Sequence, residues 1–285
     1  YCGTNLGIYD PEGNVYVSAI IDDLGLSGIN SANTMGFAAE LYQRGILNKE
    51  DFGGVEPNWG DPIAMAKLAE LIAKRKKVGK ILAEGTYRAA VALGRIKGMD
   101  LLQYAIQVKG IETGGHGPRS GLGFMSPIGY PLSTQGGDHT SSAGPRIGGE
   151  ALSTINDSLV VCSMSAMRAD LWPFFKAVTG WDVNQETWVN EIGRRILMIQ
   201  RAALLLGGPD VVWEPLKDDD NPPRFYTPLP TGPKAGASVD KTAFVEMRKK
   251  YFEDMGWDER GIPKPEELRR LGLNDVNEVL QKIVR

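Results

Sequence analysis

The sequence predicts a mainly α fold made of two helical domains, and three observations lead to this prediction. Apolar residues recur at helical spacing in most segments that lie between Gly- and Pro-rich stretches. Asp61-Pro62 is a helix start signal, because an Asp suits the N-cap and a Pro suits the first helical position. Strand-like patterns are confined to short pieces such as residues 103–108.

The predicted helices divide the chain into two blocks. They cover residues 11–24, 29–45, 62–77, 81–94, 149–162, 168–178, 185–205, 238–254, 264–270 and 274–284. The interval from Val108 to Gly149 is rich in Gly, Pro and Ser and carries both histidines. Intervals of this length without helix or strand are usually functional loops or disordered. We therefore expect one helical domain over residues 1–107 and a second, which carries this loop, over residues 108–285.

The composition argues against several classes of protein. With 32 Lys and Arg against 35 Asp and Glu, the net charge of −3 gives no attraction for nucleic acid or for an anionic membrane surface. The chain has no long apolar run and no signal peptide pattern, so we expect a cytoplasmic protein without a membrane partner. Cys2 and Cys162 are the only cysteines, which argues against a disulfide scaffold and leaves each thiol free or available to a metal.

Several common catalytic signatures are missing. The sequence contains no phosphate-binding GxxxxGK[ST] loop, no HExxH and no CxxC. The stretch "GLGFMS" at residues 121–126 begins like a dinucleotide fingerprint, but it ends in Ser and follows no predicted strand. No GxSxG elbow supports a Ser/His/Asp triad.

Two short stretches resemble each other across the two blocks. "DDLGLS" at residues 22–27 and "DSLVVC" at residues 157–162 each begin with an Asp at or near the end of a predicted helix. The helix dipole does not stabilise a carboxylate there, so we expect another partner for it. A carboxylate accepts two parallel hydrogen bonds from a guanidinium or from the aminopyrimidinone edge of a pterin. Gly25 and Leu26 would let the backbone approach such a ligand, although an Asp that caps a turn or faces water is the ordinary alternative.

A cysteine and two histidines are further candidates. Cys162 closes the second stretch, where it is either a thiol available to a metal or a small buried apolar residue. His139 in "GGDHTS" lies among small polar residues, so it suits a pocket lining where an imidazole acts as an acid or base, or hydrogen-bonds a substrate oxygen. An exposed loop histidine is the alternative for His139. His116 in "TGGHGPR" has the same two interpretations.

Taken in order, these segments resemble the two C-terminal helical domains of the tungsten-containing aldehyde ferredoxin oxidoreductase family. The resemblance covers essentially all 285 residues. It rests on several segments in the order of the family: "CGTNLGIYD", "DDLGLS", "WGDPIAMAKLAELIAKRKKVGKILAEGTYRAA", "VKGIE", "GPRSGLGF", "DSLVVC", "VTGWDV" and "GWDERGIPKPEELRRLGL".

The resemblance implies a cofactor and a role for each candidate residue. Two pterins would hold one metal through dithiolene sulfurs, with Asp22 binding one pterin beside Gly25 and Leu26, and Asp157 binding the other. The metal would be tungsten, and the sequence does not distinguish it from molybdenum. Cys162 would be a ligand of a [4Fe-4S] cluster, since thiolates suit iron. His139 would line the substrate cavity and orient the substrate or transfer a proton.

The implied reaction is the oxidation of an aldehyde to a carboxylic acid with oxygen from water. Electrons would pass one at a time through the cluster to ferredoxin or another electron-transfer protein. The resemblance leaves a second reaction open, because a relative of this family is the active-site subunit of a benzoyl-CoA reductase that acts on an aryl-CoA. A helical scaffold or interaction domain that has lost its cofactor is the alternative from a different class.

The chain departs from the family pattern at several positions. Val160 and Val161 replace the Gly-Leu of the second motif, and Ser141 replaces a basic residue. Tyr16 stands where some members carry a Glu for a dimer-bridging iron, so we expect no such iron, while a homodimer stays open. The other cluster cysteines and the first cofactor-binding domain of the family would precede Tyr1. We therefore expect this chain to be a fragment that is inactive alone.

Overall fold

A computed structural model of the protein describes residues 1–114, 118–120, 126–141, 143, 147–162, 170–207 and 213–283. Most of these residues are helical, and the regular strands among them form one antiparallel pair in which Gln107 faces Glu112 and Val108 faces Ile111. The prediction of a mainly α fold is confirmed. No helix in the described part of the chain is long and apolar enough to cross a membrane.

The first compact unit comprises Tyr1–Phe124, Gly136–Thr140 and Asn221–Val239. Its helices are α1 (Pro11–Asp23), α2 (Gly28–Gln43), α3 (Pro62–Ala73), α4 (Gly79–Leu82) and α5 (Thr86–Lys97), and its strands are β1 (Gln107–Val108) and β2 (Ile111–Glu112). Short 3-10 turns cover Thr4–Leu6, Leu102–Tyr104, Pro118–Ser120 and Pro223–Tyr226. Its core is built by buried apolar side chains, among them Val17, Ile21, Met35, Leu41, Met65, Leu68, Ala89 and Leu93.

Asp-Pro pairs fix where two of these helices begin. The Asp61 side chain accepts hydrogen bonds from the backbone N–H groups of Ile63 and Ala64 at 2.9 and 3.0 Å, and Pro62 opens α3. Asp10 accepts from the N–H of Gly13 at 2.5 Å at the start of α1. Each carboxylate satisfies N–H groups that lack an intrahelical partner, as the sequence predicted for Asp61.

The prediction of one helix over residues 81–94 is wrong. The chain forms α4 and α5 instead, and Gly85 separates them with a φ of 84°, outside the helical region. The buried Glu112 on β2 satisfies a backbone donor at the start of α5, because its Oε1 accepts from the N–H of Thr86 at 2.6 Å. Oε1 of Glu112 also accepts from the hydroxyl of Thr34 at 3.2 Å. A carboxylate distant in sequence therefore caps α5, and helical periodicity alone does not reveal it.

The second compact unit comprises Met125–Gln135, Ser141–Asp220 and Asp240–Arg285. Its helices are α6 (Gly129–Leu132), α7 (Ile147–Ser158), α8 (Trp172–Thr179), α9 (Gln185–Thr187), α10 (Arg194–Leu206), α11 (Pro215–Asp218), α12 (Lys241–Asp254), α13 (Pro265–Arg270) and α14 (Asn274–Ile283). The start of the helix predicted over residues 168–178 lies partly outside the described residues. The predicted domains 1–107 and 108–285 stay a prediction.

A π-helical segment interrupts the long helix predicted over residues 185–205. It runs over Trp188–Gly193 and joins α9 to α10. A side chain at Gly193 would place its Cβ 2.6 Å from the carbonyl oxygen of Ala151 on α7, so only glycine allows this close approach. The wider helical turn therefore serves as the contact surface for α7.

A buried ion pair ties the second unit together. Arg201 donates to both carboxylate oxygens of Asp219, at 3.0 and 2.6 Å, and its Nε and Nη2 donate to the carbonyl oxygen of Gly261 at 2.9 and 2.8 Å. The guanidinium carbon lies 4.3 Å from the ring centroid of Trp257. The two charged side chains are 2% and 1% exposed, so they depend on each other for solvation.

Replacing Arg201 with Met is expected to lower the free energy of unfolding by about 3–5 kcal/mol, because the Asp219 carboxylate would stay buried without its guanidinium. Chemical denaturation of the purified protein measures this loss. Arg260→Met is the matched control, since Arg260 pairs with Asp258 at 3.4 Å on the surface and its loss should cost less than about 1 kcal/mol. Equal losses in the two variants would contradict the role assigned to Arg201.

Glu267 is expected to make stability depend on acidic pH. The hydrogen bond from Arg270 lowers the pKa of Glu267, burial opposes it, and the charge of Arg194 lowers it further, so the pKa lies below its ordinary value of 4.5. A depressed carboxyl pKa contributes stability above the unfolded pKa, and that contribution is lost as pH falls through the folded pKa.

The stability difference between the native protein and Glu267→Gln should therefore shrink as the pH is lowered below about 4.5. Urea denaturation across this pH range measures it. Glu259→Gln is the control, because Glu259 is exposed and has no ion pair within the described residues. A difference that does not change with pH would contradict the role assigned to Glu267.

Candidate functional site

The first Asp stretch forms a left-handed turn at the end of α1. The N–H of Gly25 donates to the carbonyl oxygen of Asp22 at 2.9 Å, and the N–H of Leu26 donates to that of Ile21 at 3.0 Å. Gly25 has a φ of 68°, in the left-handed region. This pair of bonds is the Schellman arrangement that closes many helices. Ser27 then caps α2 by accepting from the N–H of Asn30 at 3.3 Å.

The second Asp stretch forms the same turn at the end of α7. The N–H of Val160 donates to the carbonyl oxygen of Asp157 at 3.0 Å, and the N–H of Val161 donates to that of Asn156 at 3.3 Å. Val160 has a φ of 58° and therefore takes the place of Gly25. The two stretches thus adopt the same backbone turn, which also ends α2 at Gly45 and α12 at Gly256. A β-branched residue in the left-handed region is strained, so the backbone conformation of Val160 costs free energy that the same conformation of Gly25 does not.

The carboxylate of Asp22 is available to a ligand. Asp22 is exposed and makes no side-chain hydrogen bond within the described residues. It lines a cavity of about 530 Å³ together with Leu26, Ser27 and the buried Cys2. Tyr1, Asn14, Ser18, Ile21, Gly28 and Ile29 complete the lining. Leu26 is half-buried and Gly25 is exposed, so the turn presents backbone and one apolar side chain beside the carboxylate.

Asp157 has a partner that sequence reasoning missed. Its Oδ2 accepts from Nε2 of Gln135 at 2.8 Å, while Oδ1 has no hydrogen bond within the described residues. Gln135 lies in the Gly-rich interval and carries no sequence signal for this contact. α7 itself is anchored through Glu150, which accepts a hydrogen bond from the hydroxyl of the buried Tyr251. Burial and the charge of Glu150 raise the pKa of Tyr251 well above 10.0, so it stays a donor.

Cys162 follows the second turn with an exposed side chain. The alternative that Cys162 packs as a buried apolar residue is therefore wrong, and Cys2 is the buried cysteine instead. Within the part of the chain that the structure describes, no group of three or more His, Cys, Asp or Glu side chains could hold a metal ion. Cys162 thus offers one thiol at the end of the second turn.

His139 lies in an exposed loop of the first unit. Its Nδ1 is 3.6 Å from Oδ1 of Asp138, and the two side chains are 44% and 40% exposed. The N–H of Thr140 donates to the same oxygen of Asp138 at 2.8 Å. The N–H of Gly137 donates to the carbonyl oxygen of Val108 at 3.0 Å and so holds this loop against the β1–β2 pair. His116 and most of "GLGFMS" lie outside the described residues.

The sequence-predicted residues therefore fall into separate groups. Asp22, Gly25 and Leu26 form one turn in the first unit, which also holds His139. Asp157 and Cys162 lie at the second turn, in the second unit. The assignment of these side chains to cofactor and substrate stays a prediction.

The molecule is thus a mainly α protein with an Asp turn in each of two helical units. A family model described as aldehyde ferredoxin oxidoreductase, domains 2 and 3, matches residues 1–273. The chain belongs to the aldehyde ferredoxin oxidoreductase family and corresponds to its domains 2 and 3. The resemblance inferred from the sequence motifs is confirmed.

Curated relatives agree with this assignment. The chain is 51% identical over 288 residues to a protein of Pyrococcus furiosus named aliphatic sulfonate oxidoreductase, WOR-like subunit, and the match covers 99% of the chain and 46% of that protein. It is 31% identical over 300 residues to the tungsten-containing aldehyde ferredoxin oxidoreductase of Pyrococcus furiosus, and this match covers 95% of the chain and 47% of that protein. The chain thus spans about half the length of the curated relatives it matches.

A solved structure shares the fold. The chain superposes with a TM-score of 0.66 on the active site complex BamBC of benzoyl coenzyme A reductase in complex with 1,5-dienoyl-CoA. The sequences are 19% identical, and the match covers 96% of this chain and 48% of the solved one. At this identity the likeness shows the fold alone.

Val160→Gly is expected to raise the free energy of unfolding by about 1 kcal/mol, because glycine adopts the left-handed conformation without strain. The greater backbone entropy of glycine in the unfolded chain offsets only part of this gain. Gly25→Val should lower it by about 1–2 kcal/mol. Among the described residues, no atom lies within 4 Å of a Cβ added at Gly25, so the loss would be purely one of backbone conformation.

Denaturant unfolding of both variants tests this pair. Val161→Gly is the control, because Val161 is half-buried and its φ is not positive, so the same substitution should destabilise there. A destabilised Val160→Gly variant would contradict the strain assigned to this turn.

Proposed function

We propose that the full-length protein is a tungsten-dependent oxidoreductase in which this chain contributes one Asp turn to each of two pterins. The observation that carries the proposal is that the Asp stretch of each unit ends its helix in the same turn and leaves its carboxylate exposed. Relatives named tungsten-containing aldehyde ferredoxin oxidoreductases support the choice of metal. Molybdenum would use the same protein groups.

The chemistry of the first turn fits a pterin edge. A carboxylate with both oxygens uncommitted accepts the paired N–H groups of an aminopyrimidinone. Asp22 has both oxygens uncommitted within the described residues and borders a cavity of about 530 Å³. Gly25 carries no side chain that would block the approach of a ring to the turn. Asp22, Gly25 and Leu26 would therefore bind and orient one pterin.

The second turn fits in a different way. Gln135 holds one oxygen of Asp157 and would fix the orientation of the carboxylate, while Oδ1 is left to accept from the ligand. Val160 and Val161 replace the glycine and leucine of the first turn, so apolar side chains would cover this pterin. The exposed Cys162 would supply a thiolate to a [4Fe-4S] cluster beside the second turn.

The bound groups would carry the electron chemistry. When present, the metal–bispterin centre supplies the two-electron redox step and the cluster carries single electrons away. His139 would orient the substrate or transfer a proton, since an imidazole changes charge near neutral pH. Asp138 lies beside Nδ1, which leaves Nε2 as the nitrogen that would face a substrate.

The proposed reaction is the oxidation of an aldehyde to a carboxylic acid with oxygen from water. Electrons would leave through the cluster to ferredoxin or another electron-transfer protein. The relative at 51% identity is named an aliphatic sulfonate oxidoreductase subunit, which favours an aliphatic sulfonate as a second candidate substrate class. An aryl-CoA substrate, as for a benzoyl-CoA reductase, is less supported, because that likeness is one of fold.

Asp22→Asn and Asp157→Asn in the full-length protein are each expected to lower tungsten content, because the amide replaces one acceptor oxygen with a donor. Cys162→Ser is expected to lower iron more than tungsten. Elemental analysis of anaerobically purified protein measures both metals. Asp23→Asn is the matched control for the Asp variants, since Asp23 is exposed beside Asp22.

Unchanged tungsten content in both Asp variants would contradict the assignment of the two turns to pterin binding. An equal loss of tungsten in Asp23→Asn would mean that the charge at the end of α1 matters, rather than the Asp22 carboxylate. If all variants and the native protein lack metal, the chain belongs to a helical scaffold without the cofactor. Assays with an aliphatic aldehyde, an aliphatic sulfonate and an aryl-CoA thioester then separate the candidate reactions.

A further inference from the structure

A second polar pocket lies in the first unit, apart from the Asp22 turn. Its volume is about 490 Å³, a size that suits a small organic ligand. Three arginines and a single carboxylate lie among its lining residues. The full lining is Glu40, Arg44, Gln103, Tyr104, Arg119, Pro223, Arg224, Thr227, Pro228 and Pro230.

The single carboxylate serves two of the arginines. Nε and Nη2 of Arg44 lie 2.9 and 2.8 Å from Oε1 of Glu40, and Nη2 of Arg224 lies 2.6 Å from the same oxygen. Burial raises the pKa of Glu40, but the hydrogen bonds and charges of Arg224 and Arg44 outweigh it, so the pKa lies below 4.5. Glu40 is therefore ionised at neutral pH and balances one of the two positive charges.

The third arginine has no carboxylate partner in the described part of the chain. Nη1 of Arg119 donates to the carbonyl oxygens of Arg224 and Thr227 at 3.1 and 3.3 Å. Burial and the neighbouring charge of Arg224 lower the pKa of Arg119 below its ordinary value. Arg119 is thus held next to Arg224 without a carboxylate of its own. The pocket carries two positive charges in excess.

The remaining walls are rigid and largely apolar. The Arg44 guanidinium carbon lies 4.6 Å from the ring centroid of Tyr104, so the ring fixes this arginine. Pro223, Pro228 and Pro230 form a wall with little conformational freedom, and Gln103 adds an amide. A ligand that fits would have an anionic head and a small apolar body.

We propose that this pocket binds an organic tetrahedral oxyanion, with the head on Arg119 and Arg224 and the body between Tyr104 and the prolines. A guanidinium group donates two parallel hydrogen bonds to the oxygens of such a head group. A second guanidinium adds positive charge, which the single carboxylate of Glu40 does not balance. A sulfonate and a phosphate monoester share this chemistry. The pocket contains none of the residues of the Asp turns, so it does not rest on the proposed redox function.

Isothermal titration calorimetry of the full-length protein at low ionic strength tests the site with ethanesulfonate and with ethyl phosphate. Saturable binding at one site per chain is expected for at least one of the two, and the tighter probe identifies the head group. Affinity should fall as salt is raised. Acetate, which is planar, is expected to bind more weakly, and ethylammonium is expected not to bind.

Arg119→Gln should weaken the binding of the tighter probe about tenfold or more, because a charge-assisted hydrogen bond pair is lost. Arg95→Gln is the matched control, since Arg95 is exposed on α5 and should leave affinity unchanged. Arg119→Lys keeps the charge without the planar fork and should fall between the native protein and Arg119→Gln, which guards against a variant that fails to fold.

Absence of saturable binding by the native protein, or equal affinity in the native and Arg119→Gln proteins, would overturn the proposal. So would acetate binding as tightly as both tetrahedral probes. Asp22→Asn is expected to bind the probe like the native protein. Loss of tungsten in that variant with unchanged probe affinity separates this site from the redox centre.

Discussion

Both Asp turns depend on a residue in the left-handed conformation at the end of a helix, Gly25 after α1 and Val160 after α7. At this point the helix stops within one residue, the chain reverses, and the carboxylate one turn earlier is left exposed at the negative end of the dipole. Neither unit offers Asp22 or Asp157 a cationic side chain within the described residues. The turn therefore produces an acceptor that gains most from a ligand with N–H donors.

The two turns reach the same geometry by different means. Gly25 adopts its conformation without steric cost, whereas Val160 is held there by the hydrogen bonds of the turn and by the anchoring of α7 through Glu150. Asp22 is unrestrained, while Asp157 is oriented by Gln135. The protein thus holds one oxygen of Asp157, whereas both oxygens of Asp22 stay uncommitted within the described residues.

Local signals in the sequence predicted the helices and the Asp residues but not their partners. Asp61-Pro62 and the apolar periodicity identified where helices lie, because capping and amphipathic spacing act within a few residues. The break at Gly85 and the contact of Gln135 with Asp157 involve groups far apart in the chain, so no local pattern reports them. The left-handed Val160 was missed for another reason, since valine is disfavoured there. The arginine pocket gathers residues from four separate segments.

The π-helical segment over Trp188–Gly193 makes the length of this stretch consequential. Such a segment contains one residue more than an α-helix of the same rise. Deleting a single residue there would restore ordinary α-helical hydrogen bonding and remove the wide turn, while α9 and α10 keep their register. The backbone at Gly193 would then lose its close approach to the carbonyl oxygen of Ala151 on α7. In evolutionary terms the segment can lose a residue without turning Arg201 away from Asp219, but it would lose its packing against α7.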